Sequence, residues 1–286
     1  MSTQTFDPDQ YKAAQRTDWS DAAEGWREWW QTIEAGVGPV AERLVELASV
    51  EQGDRVLDVC TGLGEPAVTA ARRVGSEGRV VAVDIAPAML AIGRERAAEL
   101  GLDNIDFREV DAEELELPDE GFDAVLCRFG LMFLPDLGEA LRRIYDTLDS
   151  DGRFAAAVWG APEQVPLIAV GLQTAARELE LPPPAPGTPG PLSLSDSDAL
   201  EGRLRDAGFN DVRSERMMVN VEFASAAEYT RFMRAISAPI NNLLADKPSA
   251  KQEEVWSAIT AAVTPYVSDD GSVELPGEAI CVFGRR

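Results

Sequence analysis

The spacing of hydrophobic positions changes once along the chain, shortly after residue 50. Before that point the apolar residues recur at i, i+3, i+4 and i+7, as in Trp26, Trp29, Trp30 and Ile33. This spacing places them on one helix face, so residues 13–50 are predicted to be helical. A second amphipathic stretch within this segment begins at Val40.

Short apolar runs then alternate with helical segments. The predicted strands are residues 55–60, 79–84, 104–110, 122–129 and 152–159, followed later by 212–223 and 278–286. Most of these runs are apolar on both faces, as expected for strands covered by helices on both sides. The alternation predicts an α/β fold with a doubly wound, mostly parallel sheet.

A proline-rich stretch, LPPPAPGTPGPL, interrupts this alternation and cannot form a helix. We therefore divide the chain into four segments. They are an N-terminal helical lid (1–45), a nucleotide-binding type of core (46–160), a proline-rich insertion or linker (161–194), and the end of the sheet (195–286) with a helical insertion near 225–266.

The charge balance is strongly acidic. The chain has 26 basic and 50 acidic residues, which gives a net charge of -24. Such a protein repels polyanions, so we expect neither nucleic acid nor an anionic membrane as a partner. No apolar run approaches the ~18 residues of a spanning helix, and the first residues do not resemble a signal peptide. We expect a cytoplasmic protein without membrane insertion.

Histidine is absent from the sequence, which excludes the Ser-His-Asp and Cys-His types of catalysis and metal sites that need imidazole. The three cysteines, Cys60, Cys127 and Cys281, lie in apolar runs and lack the close spacing of a zinc site. We expect them to be reduced and buried, and we predict no metal site.

A glycine turn joins the first predicted strand to a helix that opens at Pro66. Gly62 and Gly64 allow a ligand to approach the backbone, and the helix start offers free N–H groups. The spacing to Ala67 also fits a dinucleotide fingerprint, and Asp84 at the end of the second strand is suited to ribose hydroxyls. At this point NAD(P) remains open as the ligand.

Two acidic positions favour a different ligand. Asp58 lies four residues before Gly62, where a carboxylate opposes a pyrophosphate and favours a cation. Asp111 follows the third strand and is able to accept a hydrogen bond from an exocyclic amine such as that of adenine. S-adenosylmethionine carries a sulfonium, an ammonium and an adenine, and it has no phosphate.

Four stretches, VLDVCTGLGEPA, VVAVDIAPAML, DAEEL and FDAVLCRFGLMFLPD, resemble the cofactor motifs of class I S-adenosylmethionine-dependent methyltransferases. The resemblance covers roughly residues 45–160 and is strongest to the ubiquinone/menaquinone-biosynthesis C-methyltransferases. It implies a Rossmann-like seven-stranded sheet of order 3-2-1-4-5-7-6 with the last strand antiparallel, and S-adenosylhomocysteine as the product. Residues 195–223 and EAICVFGRR are similar to the end of that fold.

The resemblance also implies a role for each matching residue. The residues implied to bind the methionine part of the cofactor are Asp58, Thr61, Gly62, Gly64, Cys127 and Arg128, the last two through backbone contacts. The ribose is implied to bind Asp84. The adenine is implied to contact Ile85, Met89, Asp111 and Ala112. One departure concerns Pro66, which replaces the family's third glycine and removes one N–H donor.

Methyl transfer is an in-line displacement in which the protein aligns acceptor, methyl and sulfur, so no protein nucleophile is needed and we assign no catalytic base. The candidates for the acceptor pocket are Trp26, Trp30, Phe129, Met132, Phe133 and Trp159. We predict methylation of a small, partly apolar acceptor. The alternatives are an NAD(P)-dependent oxidoreductase and a non-catalytic module that binds S-adenosylmethionine.

Overall fold

The computed structural model describes residues 7–117, 121–185 and 187–286. Residues 1–6 of the predicted lid and residue 186 of the proline-rich connection lie outside the described residues. The division of the chain into four segments stays a prediction, but the elements within each of them are defined.

The described residues contain seven strands and nine α-helices. The strands are β1 (Arg55–Val59), β2 (Arg79–Asp84), β3 (Ile105–Glu109), β4 (Phe122–Arg128), β5 (Leu148–Trp159), β6 (Asn210–Phe223) and β7 (Val273–Arg285). The helices are α1 (Pro8–Leu47), α2 (Ala67–Val74), α3 (Pro87–Glu99), α4 (Leu137–Thr147), α5 (Pro166–Glu178), α6 (Ser197–Asp206), α7 (Ala226–Ile236), α8 (Ala238–Leu244) and α9 (Ser249–Ala262).

The strands form one sheet of order β3-β2-β1-β4-β5-β7-β6. Strands β1 to β5 pair in parallel, and β7 runs antiparallel to both β5 and β6. The predicted fold, strand order and direction of the last strand are confirmed. Because β1, β2 and β4 are parallel neighbours, their last residues meet at one edge of the sheet, which we call the C-terminal edge.

Helix α1 is one continuous helix of 40 residues. It begins earlier than the predicted residue 13, because Asp7 caps it by accepting hydrogen bonds from the N–H groups of Asp9 and Gln10, and Pro8 suits its first position. The helix contacts α3, α7, β4, β5 and β6. It therefore reaches from one end of the sheet to the other.

Two glycines allow α1 to approach its neighbours closely. A Cβ atom at Gly25 would overlap the carbonyl oxygen of Ala235 in α7, and one at Gly36 would overlap the backbone of Asn220 in β6. A third glycine, Gly38, has no such neighbour, since the nearest atom to its Cβ position is a side-chain oxygen of Glu34 at 3.7 Å. Gly25 and Gly36 therefore set the distance between α1 and the elements it covers.

The second half of the proline-rich connection is docked against the C-terminal edge. The Gly190 N–H and the Ser193 hydroxyl both donate to the carbonyl oxygen of Met132, at 2.9 and 3.0 Å. Leu192 and Leu194 pack against the core beside them. This part of the predicted insertion or linker therefore packs against the C-terminal edge of the sheet.

The helices between β6 and β7 form a layer beside α1. Helix α9 packs on α5 and α7, and α7 packs on α1. The buried Tyr229 hydroxyl donates to the carbonyl oxygen of Leu167 at 3.1 Å, which ties α7 to α5. Across the described ranges, every helix falls short of the length and apolar character that a bilayer crossing requires.

We predict that Gly25→Ala lowers the free energy of unfolding by about 1–3 kcal/mol, because overpacking forces α1 away from α7. The matched control is Gly38→Ala on the same helix. It should be neutral or raise the stability by about 0.5–1 kcal/mol, since alanine has the higher helix propensity. Urea unfolding followed by circular dichroism measures both, and equal effects of the two changes would contradict the close contact of α1.

Candidate functional site

The turn after β1 is built from residues with positive φ. Gly62 and Gly64 have φ of 54° and 98°, and Cys60 has φ of 58° although it carries a side chain. Such a conformation costs a non-glycine residue roughly 1–2 kcal/mol. The Thr61 N–H donates to the carbonyl oxygen of Val83 at 3.0 Å, which fixes the turn against β2. The predicted glycine turn is confirmed, and the strained Cys60 was not foreseen.

Asp58 lies beneath this turn and is fully buried. One carboxylate oxygen accepts from the Thr61 hydroxyl at 2.5 Å and from the Ala67 N–H, the first of α2, at 2.9 Å. Among the described residues, the other oxygen, Oδ1, is buried without a hydrogen-bond partner. A buried acceptor that lacks a partner costs free energy, so this oxygen is suited to a donor from a ligand.

The environment of Asp58 favours its neutral form when no further cation is present. Burial, opposed by the bonds from Thr61 and Ala67 and by the charge of Arg128, raises the pKa of Asp58 to about 8. A cationic ligand group beside Oδ1 would favour the carboxylate and lower this pKa.

Asp84 ends β2 at the other side of the turn. Its two carboxylate oxygens accept from the N–H groups of Gly62, at 2.8 Å, and Ala86, at 2.9 Å. Burial raises the pKa of Asp84, and these backbone bonds oppose the rise. The side chain is held in one position at the edge, and each oxygen keeps a second lone pair for hydroxyl donors.

Asp111 follows β3 and closes this row of acids. Its Oδ1 accepts from the Glu113 N–H at 2.9 Å, and its Oδ2 lies 2.9 Å from the ammonium of Lys12 on α1. Ala112 beside it is buried, and the buried Glu113 lies 3.4 Å from the same ammonium. The pairing of Asp111 with Lys12 links residues 99 positions apart and was not foreseen.

Arg128, the last residue of β4, makes a two-point ion pair with Glu34 of α1. Its Nη1 and Nη2 atoms lie 2.9 and 2.5 Å from the two carboxylate oxygens. The resemblance implies backbone contacts of Arg128 with the cofactor, and the structure adds a side-chain contact that ties α1 to the C-terminal edge. The charges of Glu34, Glu65 and Asp58 keep the pKa of Arg128 above its usual value despite the opposing effect of burial.

Cys127 precedes Arg128 and is fully buried, and its sulfur and that of Cys60 each lie 2.9 Å from the position that a Cβ atom at Gly130 would take. Cys281 is also buried, but Cys60 lies just beyond β1 and is partly exposed, which corrects the expectation of three buried cysteines within strands. A side chain at Gly130 would overlap Cys60. The turns after β1 and β4 are therefore in direct contact.

Apolar side chains pack around Met89, one of the residues assigned to the adenine. Met89 and Leu63 are buried and form a small cluster with the partly buried Trp19, Trp26 and Trp30 of α1. Ile85, which was also assigned to the adenine, is partly exposed between β2 and α3. Of the predicted adenine residues, Met89 thus lies in one cluster with tryptophans of α1, and Ile85 follows Asp84 at the end of β2.

The predicted acceptor residues fall into separate places. Phe129 and Trp159 stack with ring centres 4.0 Å apart and an angle of 11° between the rings. Phe133 packs edge-on against Trp19 at 5.1 Å, and the buried Met132 lies next to the docked proline-rich connection. Trp26 packs on Trp19.

Trp30 has a different neighbour from the other acceptor candidates. Its ring lies 4.4 Å from the guanidinium of Arg96 on α3, a cation–π contact. Arg96 is itself buried, and its Nη1 donates to the carbonyl oxygen of Leu63 at 2.6 Å. Neither Arg96 nor this contact was predicted, because an arginine in the last turn of a helix is common on the surface and carries no sequence signal for burial.

We predict that Asp58→Asn stabilises the protein increasingly as the pH rises from about 4 to about 8. The pKa of Asp58 is higher in the folded protein than in the unfolded chain, where it is near 3.8. The folded protein therefore binds more protons in this range, and wild-type stability falls with pH by at most about 1.4 kcal/mol per pH unit from this one group. Asparagine does not titrate.

Urea unfolding at several pH values between 5 and 8 measures this difference. The matched control is Asp106→Asn on β3, because Arg108 and Arg79 lower the pKa of Asp106 and it stays ionised throughout this range. Its stability difference from wild type should be independent of pH. A constant difference for Asp58→Asn as well would contradict the buried, neutral carboxyl group.

Comparisons with known proteins agree with this geometry. Residues 41–170 match the model of the ubiE/COQ5 methyltransferase family. The aklanonic acid methyltransferase DauC of a Streptomyces species is 41% identical over 139 residues, which are 46% of this chain and 63% of that protein. The ubiquinone/menaquinone biosynthesis C-methyltransferase UbiE of Pseudomonas entomophila is 40% identical over 119 residues, 41% of this chain and 46% of that protein.

The chain thus spans between about half and two thirds of the length of these two curated relatives. The crystal structure of the YcgJ protein from Bacillus subtilis has the same fold, with a TM-score of 0.56 and 20% identity over 86% of this chain and 97% of that one. The family match supports S-adenosylmethionine as the cofactor. The predicted resemblance to class I S-adenosylmethionine-dependent methyltransferases is confirmed, and it is carried by residues 41–170, which match the ubiE/COQ5 methyltransferase family.

Proposed function

We propose that the protein transfers a methyl group from S-adenosylmethionine to a small, partly apolar acceptor. The observation that carries the proposal is the buried Oδ1 of Asp58, which lacks a partner among the described residues and lies beneath the glycine turn. Asp84 and Asp111 follow at the ends of the next two strands. This row of acids suits an ammonium, a ribose and an adenine amine.

Each part of the cofactor has a partner of matching chemistry. Bound S-adenosylmethionine supplies an electrophilic methyl group on a sulfonium, which the chain itself has no means to supply. Asp58 is the acceptor for the ammonium, and Asp84, held by Gly62 and Ala86, is the acceptor for the ribose hydroxyls. Oδ2 of Asp111 is the acceptor for the adenine amine.

The same residues argue against the alternative ligand NAD(P). A pyrophosphate bound at this turn would bring two negative charges close to Asp58. The net charge of -24 adds a repulsion of the same sign. A neutral or cationic ligand meets neither penalty. These charges favour S-adenosylmethionine over a dinucleotide and leave the non-catalytic binding module as the second possibility.

For the acceptor, we propose a molecule with an aromatic or quinone-like ring. The partly exposed ring of Phe129 stacks on the buried ring of Trp159 at the ends of β4 and β5, which makes this part of the edge flat and apolar. Met132 and the docked proline-rich connection border the same edge. Two of the curated relatives are named for methylation in ubiquinone/menaquinone biosynthesis and of aklanonic acid. Apolar walls also exclude water from the reacting atoms.

We predict that the protein binds S-adenosylhomocysteine and S-adenosylmethionine and that Asp84→Asn weakens this binding more than tenfold, about 1.4 kcal/mol. The reason is the loss of an anionic acceptor for the two ribose hydroxyls. Asp106→Asn, a change of the same size on the neighbouring β3, should leave the affinity unchanged. Isothermal titration calorimetry of wild type and both variants, with NADH as a competing ligand, measures these affinities.

Transfer of a labelled methyl group to a panel of quinols and polycyclic aromatic acids then distinguishes catalysis from binding alone. Labelled product in the presence of wild type, strongly reduced with Asp84→Asn, is the expected result. Binding of NADH without binding of S-adenosylhomocysteine would refute the proposed cofactor. Binding without transfer to any acceptor of the panel would favour the non-catalytic module.

A further inference from the structure

Helix α1 contacts the proposed cofactor site at three separate points. Its first turns reach Asp111 through Lys12, its middle reaches Met89 and Leu63 through tryptophans, and its later turns reach Arg128 through Glu34. We propose that the N-terminal half of α1 is an internal competitor of the cofactor, with Lys12 as the group that takes the place of the adenine amine. This inference depends on the proposed function.

At Asp111, the ammonium of Lys12 occupies the place that we propose for the adenine amine. Oδ1 of this carboxylate is already bonded to the Glu113 N–H, so Oδ2 is the oxygen left for an incoming donor. The Lys12 ammonium lies 2.9 Å from Oδ2. The side chains of Lys12 and Asp111 are only 17% and 16% exposed, so the pair is screened from water on most sides. An amine of the cofactor and the ammonium of Lys12 would therefore compete for one acceptor.

Lys12 is held in this place by more than one charge. Its ammonium also lies 3.4 Å from Glu113 and 3.7 Å from Glu114. Burial opposes the charged form of Lys12, but Asp111 and Glu113 raise its pKa above the usual value, so the group is charged at neutral pH. Arg16, one turn along α1, pairs with Glu109 at the end of β3. Both cations hold the start of α1 over the edge.

The tryptophans of α1 occupy the apolar side of the same place. Trp19 and Trp26 lie 5.8 Å apart and join Met89 and Leu63 in one cluster. Met89 is the residue assigned to one face of the adenine. An adenine between Met89 and α1 would have to displace part of this cluster, so its entry requires α1 to move outward. Such a movement would first break the contacts of Lys12.

At the other end, Glu34 and Arg128 are placed to act as the pivot. This ion pair has two short contacts, and its side chains are 20% and 10% exposed. Two pairs nearer the start of the helix are more exposed, Arg16 with Glu109 at 49% and 40% and Arg27 with Glu95 at 43% and 57%. Exposed pairs contribute about 0–1 kcal/mol each, so the less exposed pair of Lys12 with Asp111 is the main ionic contact that holds the start of α1 in place.

When a segment of the chain closes the site, only the molecules with an open site bind the ligand. The apparent affinity is then the intrinsic affinity multiplied by the open fraction. Removing the competitor must therefore strengthen cofactor binding. A lysine that closes over a bound cofactor would give the opposite result, since its removal would weaken binding. The sign of the change distinguishes an internal competitor from an ordinary lid contact.

The test is Lys12→Met, which keeps the length and apolar stem of the side chain and removes the charge. The probe is S-adenosylhomocysteine, which has no net charge, so its affinity is insensitive to the changed charge of the protein. We expect a dissociation constant lower by about threefold to tenfold, the value of one partly buried ion pair. The matched control is Lys251→Met, which removes another lysine paired with a carboxylate, Glu254 at 3.1 Å, on α9.

Hydrogen exchange measured by mass spectrometry provides a second readout without ligand. Lys12→Met should speed exchange in residues 8–24 of α1, and Lys251→Met should not. Unchanged or weaker binding in Lys12→Met, with wild type binding normally, would overturn the competitor and leave the proposed function intact. Unchanged exchange in residues 8–24 would also overturn it. Absence of S-adenosylhomocysteine binding in wild type and variant would overturn the proposed function itself.

Discussion

Carboxylates buried at the C-terminal edge of the sheet need donors or cations, and this need decides which parts of the chain meet there. Asp58 obtains the Thr61 hydroxyl and the first N–H of α2, and Asp84 obtains the N–H groups of Gly62 and Ala86. Three of these donors come from the glycine turn and the start of α2, and the fourth, Ala86, follows Asp84 by two residues. The shape of the turn and the ionisation of the two acids therefore depend on each other.

The remaining charges are compensated from far along the chain. Asp111 is paired with Lys12, and Arg128 with Glu34, so α1 supplies the partner charges beyond β3 and at the end of β4. A helix that carries these two partners must pass over the edge from β3 to β4, and its 40 residues are long enough to do so. Gly25 and Gly36 make the crossing close by removing side chains where α1 meets α7 and β6. The length, glycines and charges of α1 therefore serve the same contact.

Much of the sheet was predictable because its signals are local. The apolar runs of β1, β2 and β4, the glycine turn and the acids at the strand ends lie within a few residues of each other in sequence. The start of β5 at Leu148 was missed because residues 149–151 are polar, and the early start of β7 at Val273 was missed because the strand alternates there with polar residues.

The path of α1 could not be predicted from the sequence, for a different reason. Amphipathic spacing identifies a helix but not the surface against which it packs. The two ion pairs that join α1 to the edge each depend on a single side chain, Lys12 or Glu34, whose partner lies about a hundred residues away. The positive φ of Cys60 was hidden in the same way, because glycine is the residue that normally signals such a conformation.

The contact between the turns after β1 and β4 has a consequence for how this site is able to change in evolution. The sulfur atoms of Cys60 and Cys127 both lie beside Gly130, where a side chain would overlap them. A larger residue at any one of these positions leaves no room for the other two. Substitutions here are expected to occur together among homologues, so the three positions should covary as one inherited unit even though they are scattered along the sequence.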